Sequence, residues 1–101
     1  MDLAEPDLGE ISLPTLMQAL GDPVRLRILH ALAADGERQC GSLDLGVTKA
    51  TRSHHFKVLR EAGVTHTRSE GTRRYVSLRR DDLDERFPGL LDALLAAPVA
   101  R

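Results

Sequence analysis

Three groups of residues in this sequence have types and spacings that could do chemistry. The first is basic. Residues 48–80 hold Lys49, Arg52, Lys57, Arg60, Arg68, Arg73, Arg74, Arg79 and Arg80 against only Glu61 and Glu70, a net of +7 in a chain of net −1. Charge this concentrated is the footprint of a polyanion site. The common alternative for a charge run is a solvated, salt-bridged surface. The second group is Cys40 with His30, His54, His55 and His66. A metal needs three or four such ligands converging on it. His54 and His55 are adjacent, so on a helix they diverge by about 100° and cannot share an ion in the i, i+4 manner. No metal site and no cofactor are expected. A lone cysteine excludes an intrachain disulfide. Cys40 could serve as a thiol switch only with exposure and a lowered pKa. The third group, Asp81, Asp82, Asp84 and Glu85, fits no calcium loop and suits a helix N-terminus. No nucleophile–base set sits on a recognisable turn and no phosphate-cradling glycine loop is present, so an enzyme is not expected.

The basic residues need elements to position them. After Ser12, the residues Leu13, Leu16, Met17 and Leu20 fall at i, i+3, i+4 and i+7, a helix stripe that Gly21 stops. Asp22-Pro23 is a start signal, with Asp as cap and Pro at the first helical position. The stripe Val24, Ile28, Leu29 and Leu32 carries that second helix to Asp35-Gly36, with Arg25 and Arg27 off it. A brief helical turn is expected around Ser42–Leu45. Gly46-Val47-Thr48 then turns into an N-cap for KATRSHHFKVLREAG, a long helix stopped by Gly63. Val64–Arg68 and Thr72–Leu78 read as a β-hairpin around Glu70-Gly71. Leu83, Phe87, Leu90, Leu91 and Leu94 form a last helical stripe, which Pro88 interrupts or restarts.

That order is a helix-turn-helix followed by a hairpin, the winged-helix plan, whose second HTH helix enters the major groove of DNA. The +7 segment is the recognition helix and the wing. Winding residues 49–62 at about 100° per residue gathers Thr51, His55, Val58, Leu59 and Ala62 on an inward side. Lys49, Ala50, Ser53, Lys57 and Arg60 lie opposite, with His54 at the edge. Small Ala50 and Ser53 allow close approach. Lys49, Ser53 and His54 are expected to read bases. Lys57, Arg68, Arg73 and Arg74 are expected on phosphates. Thr48 and Arg52 complete the expected DNA-binding set. A packed or hydrogen-bonded role is expected for His55.

The sequence ALGDPVRLRILHAL, then VTKATRSHHFKVLREAGV, then EGTRRYVSL resembles the ArsR family of winged-helix transcriptional regulators, over roughly Leu16 to Leu78. The resemblance implies a homodimeric repressor that binds an imperfect inverted repeat, and many members release DNA on binding a metal or reacting with an oxidant; for this chain an unknown small-molecule or redox effector is left open. It places base and backbone contacts at residues 48–57 and backbone contacts on the wing. Three departures stand out. Metal-sensing members carry a C-x-C box where this chain has RQCGSLDL, with Cys40 alone. The other frequent metal site uses His and acids of the last helix, and DLDERFPGLLDALL has no His. Arg52 stands where the family has an inward apolar residue; it either snorkels to a phosphate or marks an open packing.

The 101 residues make one domain. The expected fold is mainly α with a small β-hairpin: a winged helix-turn-helix with N- and C-terminal dimerisation helices. Residues 1–11 are expected to form a mobile acidic tail, 12–97 the domain and 98–101 a C-terminal tail. So small a domain cannot cover both terminal stripes, so Leu13, Leu16, Met17, Leu20, Phe87, Leu90, Leu91 and Leu94 are expected at a dimer interface. The acidic start resembles no signal or transit peptide and no apolar run spans a membrane. The three aromatics, Phe56, Tyr75 and Phe87, are too few for a single-strand stacking platform. The expected partners are double-stranded DNA and a second copy, in the cytoplasm. The alternatives are a winged-helix protein-interaction module and a redox-sensing repressor acting through Cys40.

Overall fold

A computed structural model describes residues 3–97. Its elements are α1 (Leu13–Leu20), α2 (Pro23–Asp35), β1 (Arg38–Gln39), α3 (Lys49–Glu61), β2 (Thr65–Glu70), β3 (Arg73–Leu78), α4 (Arg80–Arg86) and α5 (Leu90–Ala96). The helix starts follow from local chemistry. The Asp22 carboxylate accepts from the backbone N–H of Val24 at 2.8 Å and of Arg25 at 3.2 Å, with Pro23 at the first helical position. At α3, the Thr48 hydroxyl accepts from the Thr51 N–H at 3.2 Å and donates to the Thr51 hydroxyl at 2.9 Å.

Buried side chains from every layer meet in one core. Leu16, Ala19 and Leu20 of α1 pack with Ile28, Leu29 and Leu32 of α2 and with Phe56, Leu59 and Ala62 of α3. Val64, Val76, Leu83 and Leu91 close it. Burying each such Leu or Ile stabilises the fold by roughly 1.5–3 kcal/mol. Arg25 ties three helices together. Its Nε donates to the Ala19 carbonyl at the end of α1, and its Nη1 donates to His55 Nδ1 on α3 at 3.2 Å.

Four sequence expectations need correction. The hairpin belongs to a three-stranded antiparallel sheet of order β1-β3-β2, because Arg38 and Gln39 pair with Val76 and Tyr75. The hairpin loop is Gly71-Thr72, with Gly71 at φ +62°, as a type II′ turn prefers. The turn before the recognition helix is a 3-10 turn at Cys40–Ser42, earlier than expected. The last stripe needs no correction: as Pro88 predicts, it is two helices, broken at Phe87-Pro88-Gly89.

The N-terminal segment is the fourth. Residues 3–11, expected as a tail, lie against the domain. The Glu5 carboxylate accepts from His66 Nδ1 at 2.9 Å and from the Thr67 N–H at 3.0 Å. Arg79 donates to the Pro6 carbonyl at 2.7 Å and Arg86 to the Ile11 carbonyl at 3.1 Å. Ile11 is 1% exposed. Residues 98–101, expected as a C-terminal tail, lie outside the described residues.

Candidate nucleic-acid interface

Helix α3 has two faces because its apolar residues recur at helical spacing. His55, Phe56, Leu59 and Ala62 are buried, and Lys49, Ala50, Ser53, His54 and Lys57 are exposed. The exposed five make one stripe running from the capped N-terminus, where free N–H groups and the helix dipole favour an anion. Among the described residues, none of their side chains is engaged in a hydrogen bond or ion pair. Thr48 itself is spent on the cap, which leaves its backbone rather than its hydroxyl to face a ligand.

His55 holds the helix at its depth. Burial pushes its pKa down, Asp22 opposes that, and the nearby Arg25 and His54 charges push it further down. Since Arg25 has only donors, Nδ1 accepts, and the neutral ring carries its proton on Nε2. Asp22, pushed up by burial, is nonetheless held below its ordinary value by the Arg25 and Val24 N–H groups and the Arg25 and His55 charges.

On the wing, pairing register sorts the side chains. Thr67 faces Val76 and Ser69 faces Arg74 across the ladder; Arg68 faces Tyr75 and Glu70 faces Arg73. Successive residues point to opposite faces. Arg74 therefore shares the face of buried Val76, toward α3, and Arg73 lies on the other face. Both are exposed, and neither has an ion-pair partner among the described residues.

Arg68 does not fit the phosphate role expected for it. Its Nε and Nη2 bond the Glu37 carboxylate at 3.0 and 2.8 Å, and its Nη1 bonds Glu70 at 2.7 Å. Its guanidinium lies 4.3 Å above the Tyr75 ring centroid. Those bonds raise its pKa further and, foremost, hold the Glu37 carboxyl below its ordinary value. The residue stiffens the wing and its charge is neutralised. Arg79 pairs with Asp82, and Arg80 with Asp84 and Asp92. The basic segment is thus divided. Arg68, Arg79 and Arg80 are paired, and Lys49, Arg52, Lys57, Arg73 and Arg74 are not, among the described residues. Half-buried Arg52 joins Lys49, Ser53, Arg73 and Arg74 in lining a groove of about 390 Å³ between α3 and the wing.

Half-buried Cys40 also lines that groove. Burial pushes its thiol up, against the pull of Arg74, Arg52 and Arg60, which is the opposite of a reactive low-pKa thiol. Among the described residues no three His, Cys, Asp or Glu side chains gather as a metal site.

The eight expected dimer residues divide as well. Leu16, Leu20 and Leu91 are at most 4% exposed within one chain, so they belong to its core, and they also line an apolar groove between α1 and the α4–α5 pair. Leu13 and Met17 are 44% and 43% exposed. Half-buried Leu90 and Leu94 line the same groove, with half-buried Phe87 nearby in sequence.

A helix-turn-helix carrying an unpaired cationic face, flanked by a wing, defines a winged-helix DNA-binding protein. The Helix-turn-helix domain family matches residues 20–68. The HTH-type transcriptional regulator YceK of Bacillus subtilis is 43% identical over 82 residues, covering 78% of this chain and 82% of that protein. A biofilm growth-associated repressor of Agrobacterium fabrum is 35% identical over 104 residues, covering 91% and 87%. A solved structure described as a possible transcriptional regulator for arsenical resistance superposes at TM-score 0.64 with 27% identity, covering 85% and 88%. The chain belongs to the ArsR family of winged helix-turn-helix transcriptional regulators and is a DNA-binding regulator rather than an enzyme.

No helix among the described residues is long and apolar enough to cross a membrane. Arg25 and Glu37 are the residues that sequence reasoning misses. Arg25 lies off the apolar stripe, and Glu37 acts on a strand about thirty residues away in sequence. Neither has a local signal.

Proposed function

We propose that this chain is a homodimeric cytoplasmic repressor that reads an inverted-repeat operator. Two copies would place their α3 helices in successive major grooves, about one helical turn apart. Ser53, His54 and Lys49 would meet base edges. Lys57, Arg52, Arg73 and Arg74 would hold phosphates, with the Thr48 backbone at the helix N-terminus. Exposed Leu13 and Met17, with the groove edged by Leu90 and Leu94, would form the contact between copies. Similarity to the biofilm growth-associated repressor supports the repressor assignment.

The observation that carries this reading is the division of charge. Arg68, Arg79 and Arg80 are held in ion pairs, whereas Lys49 and Lys57 on the α3 face and Arg73 and Arg74 beside the hairpin turn have no ion pair among the described residues. The test compares operator and random duplexes across single variants. Lys57→Ala and Arg73→Ala should weaken both alike and lower the salt slope by about 1 each. Ser53→Ala and His54→Ala should narrow the difference between the two. Equal losses on both duplexes for all four variants would overturn the assignment. Sedimentation of the complex should give one dimer per site.

A further inference from the structure

Next to the groove between α3 and the wing, and sharing Cys40, Ser53, Phe56 and Arg74 with it, is a smaller chamber of about 70 Å³. It is lined by Cys40, Ser53, Phe56, Arg60, Thr67 and Arg74. Two of these carry buried polar atoms with no partner: Arg60 Nε and the Thr67 hydroxyl. Thr67 is only 6% exposed. Burying unsatisfied donors is costly, and an orphaned pair beside one cavity marks a missing acceptor. An arginine N–H can only donate, so the missing group must accept. No carboxylate lines the chamber. Arg74 adds a second guanidinium and Ser53 a hydroxyl, both unpaired among the described residues. The Cys40 thiol, kept neutral by burial, brings no competing charge.

We propose that this chamber binds a small free oxyanion of the phosphate type and that its occupation weakens DNA binding. The donors come from α3, β2 and β3, so they surround a guest instead of lying along one edge. A compact tetrahedral ion with several acceptors fits such a set. A duplex backbone does not, because its sugars bar entry to so small a space. The coupling rests on the proposed DNA face, since Arg74 lines both chamber and groove. An anion there neutralises a charge that DNA would use. Linkage makes the antagonism mutual.

The test has two arms. The first is thermal unfolding of DNA-free protein in sodium phosphate or in sodium chloride of equal ionic strength. Phosphate should raise Tm saturably, by roughly 5–10 °C at tenfold over its Kd, where chloride does not. Arg60→Lys, which keeps the charge but removes Nε, and Thr67→Val, nearly isosteric, should abolish the phosphate-specific rise. No such rise in the wild type, or the same rise in both variants, overturns the site. If Arg60→Lys does not fold, Thr67→Val decides. In the second arm, operator binding by the wild type should weaken several-fold in phosphate relative to chloride, and binding by Thr67→Val should not. Unchanged operator affinity at saturating phosphate overturns the coupling. Failure to bind DNA in either salt would instead refute the proposed DNA face, while the first arm still judges the chamber.

Discussion

Gly63 joins the recognition helix to the wing, and its replacement by alanine should disturb both. Its φ is +87°, a left-handed conformation that costs an L-residue about 1–2 kcal/mol. An added Cβ would also lie 2.7 Å from Ile11 Cγ1 and 2.8 Å from Ile11 Cδ1. Ile11 is fully buried, so it cannot swing into solvent. Overpacking of this kind costs about 1–3 kcal/mol. Gly63→Ala should therefore destabilise the fold by about 2–5 kcal/mol, a Tm fall of at least about 8 °C for a domain of this size. Urea unfolding of Gly63→Ala, Ile11→Ala and the double variant isolates the contact. Ile11→Ala alone should cost about 2–5 kcal/mol. With Ile11 truncated, adding Gly63→Ala should cost only the backbone share, so the two changes should be non-additive by about 1–3 kcal/mol. Strict additivity would mean that the N-terminal segment does not pack on this hinge.

Three further predictions concern the supports of the site. His55 has its pKa lowered by burial, so the unfolded chain takes up its proton first as pH falls. Stability should be full above about pH 6.5 and decline below it, and His55→Gln should flatten that part of a Tm-against-pH curve. Asp22→Ala removes the acceptor for two N–H groups of α2 and should cost about 1 kcal/mol at pH 7 by chemical denaturation, with less difference in acid, where Asp22 itself is protonated. Met17→Asp puts a charge on an exposed apolar site of α1 and should shift sedimentation toward monomer without unfolding the chain; an unchanged dimer would remove α1 from the interface.

What is legible in the sequence is local chemistry. Asp22-Pro23, Thr48, Gly21 and Gly63 mark helix ends through groups within a few residues of them, and α1, α2 and α3 begin and end where those signals stand. The inward turn of His55 follows from helical winding alone. The errors share a cause, which is contact across distance in the chain. Residues 3–11 look like a tail because Glu5 finds its partners 61 and 62 residues away and Ile11 its donor 75 residues away. A stripe shows that one helix face is covered and says nothing of what covers it, so it does not separate Leu16, Leu20 and Leu91, covered within one chain, from exposed Leu13 and Met17. Counting charges along the chain does not separate Arg68, clamped by Glu37, from Arg73, which has no ion pair among the described residues. Two-residue β1 has no periodicity to detect.

In the proposed function, the cations of α3 and the wing that have no ion pair among the described residues hold a specific duplex. Fluorescence anisotropy over a salt series, with the duplex upstream of this protein's own gene beside a scrambled one, tests it most directly. The account predicts tight binding to the native duplex, one dimer per site, and affinity that falls steeply with salt. Arg73→Ala should lower that slope by about 1, and Arg80→Ala, whose arginine is already paired, should leave it unchanged. Equal, weak binding to both duplexes would mean that the target lies elsewhere. No binding to either at low salt would contradict the account.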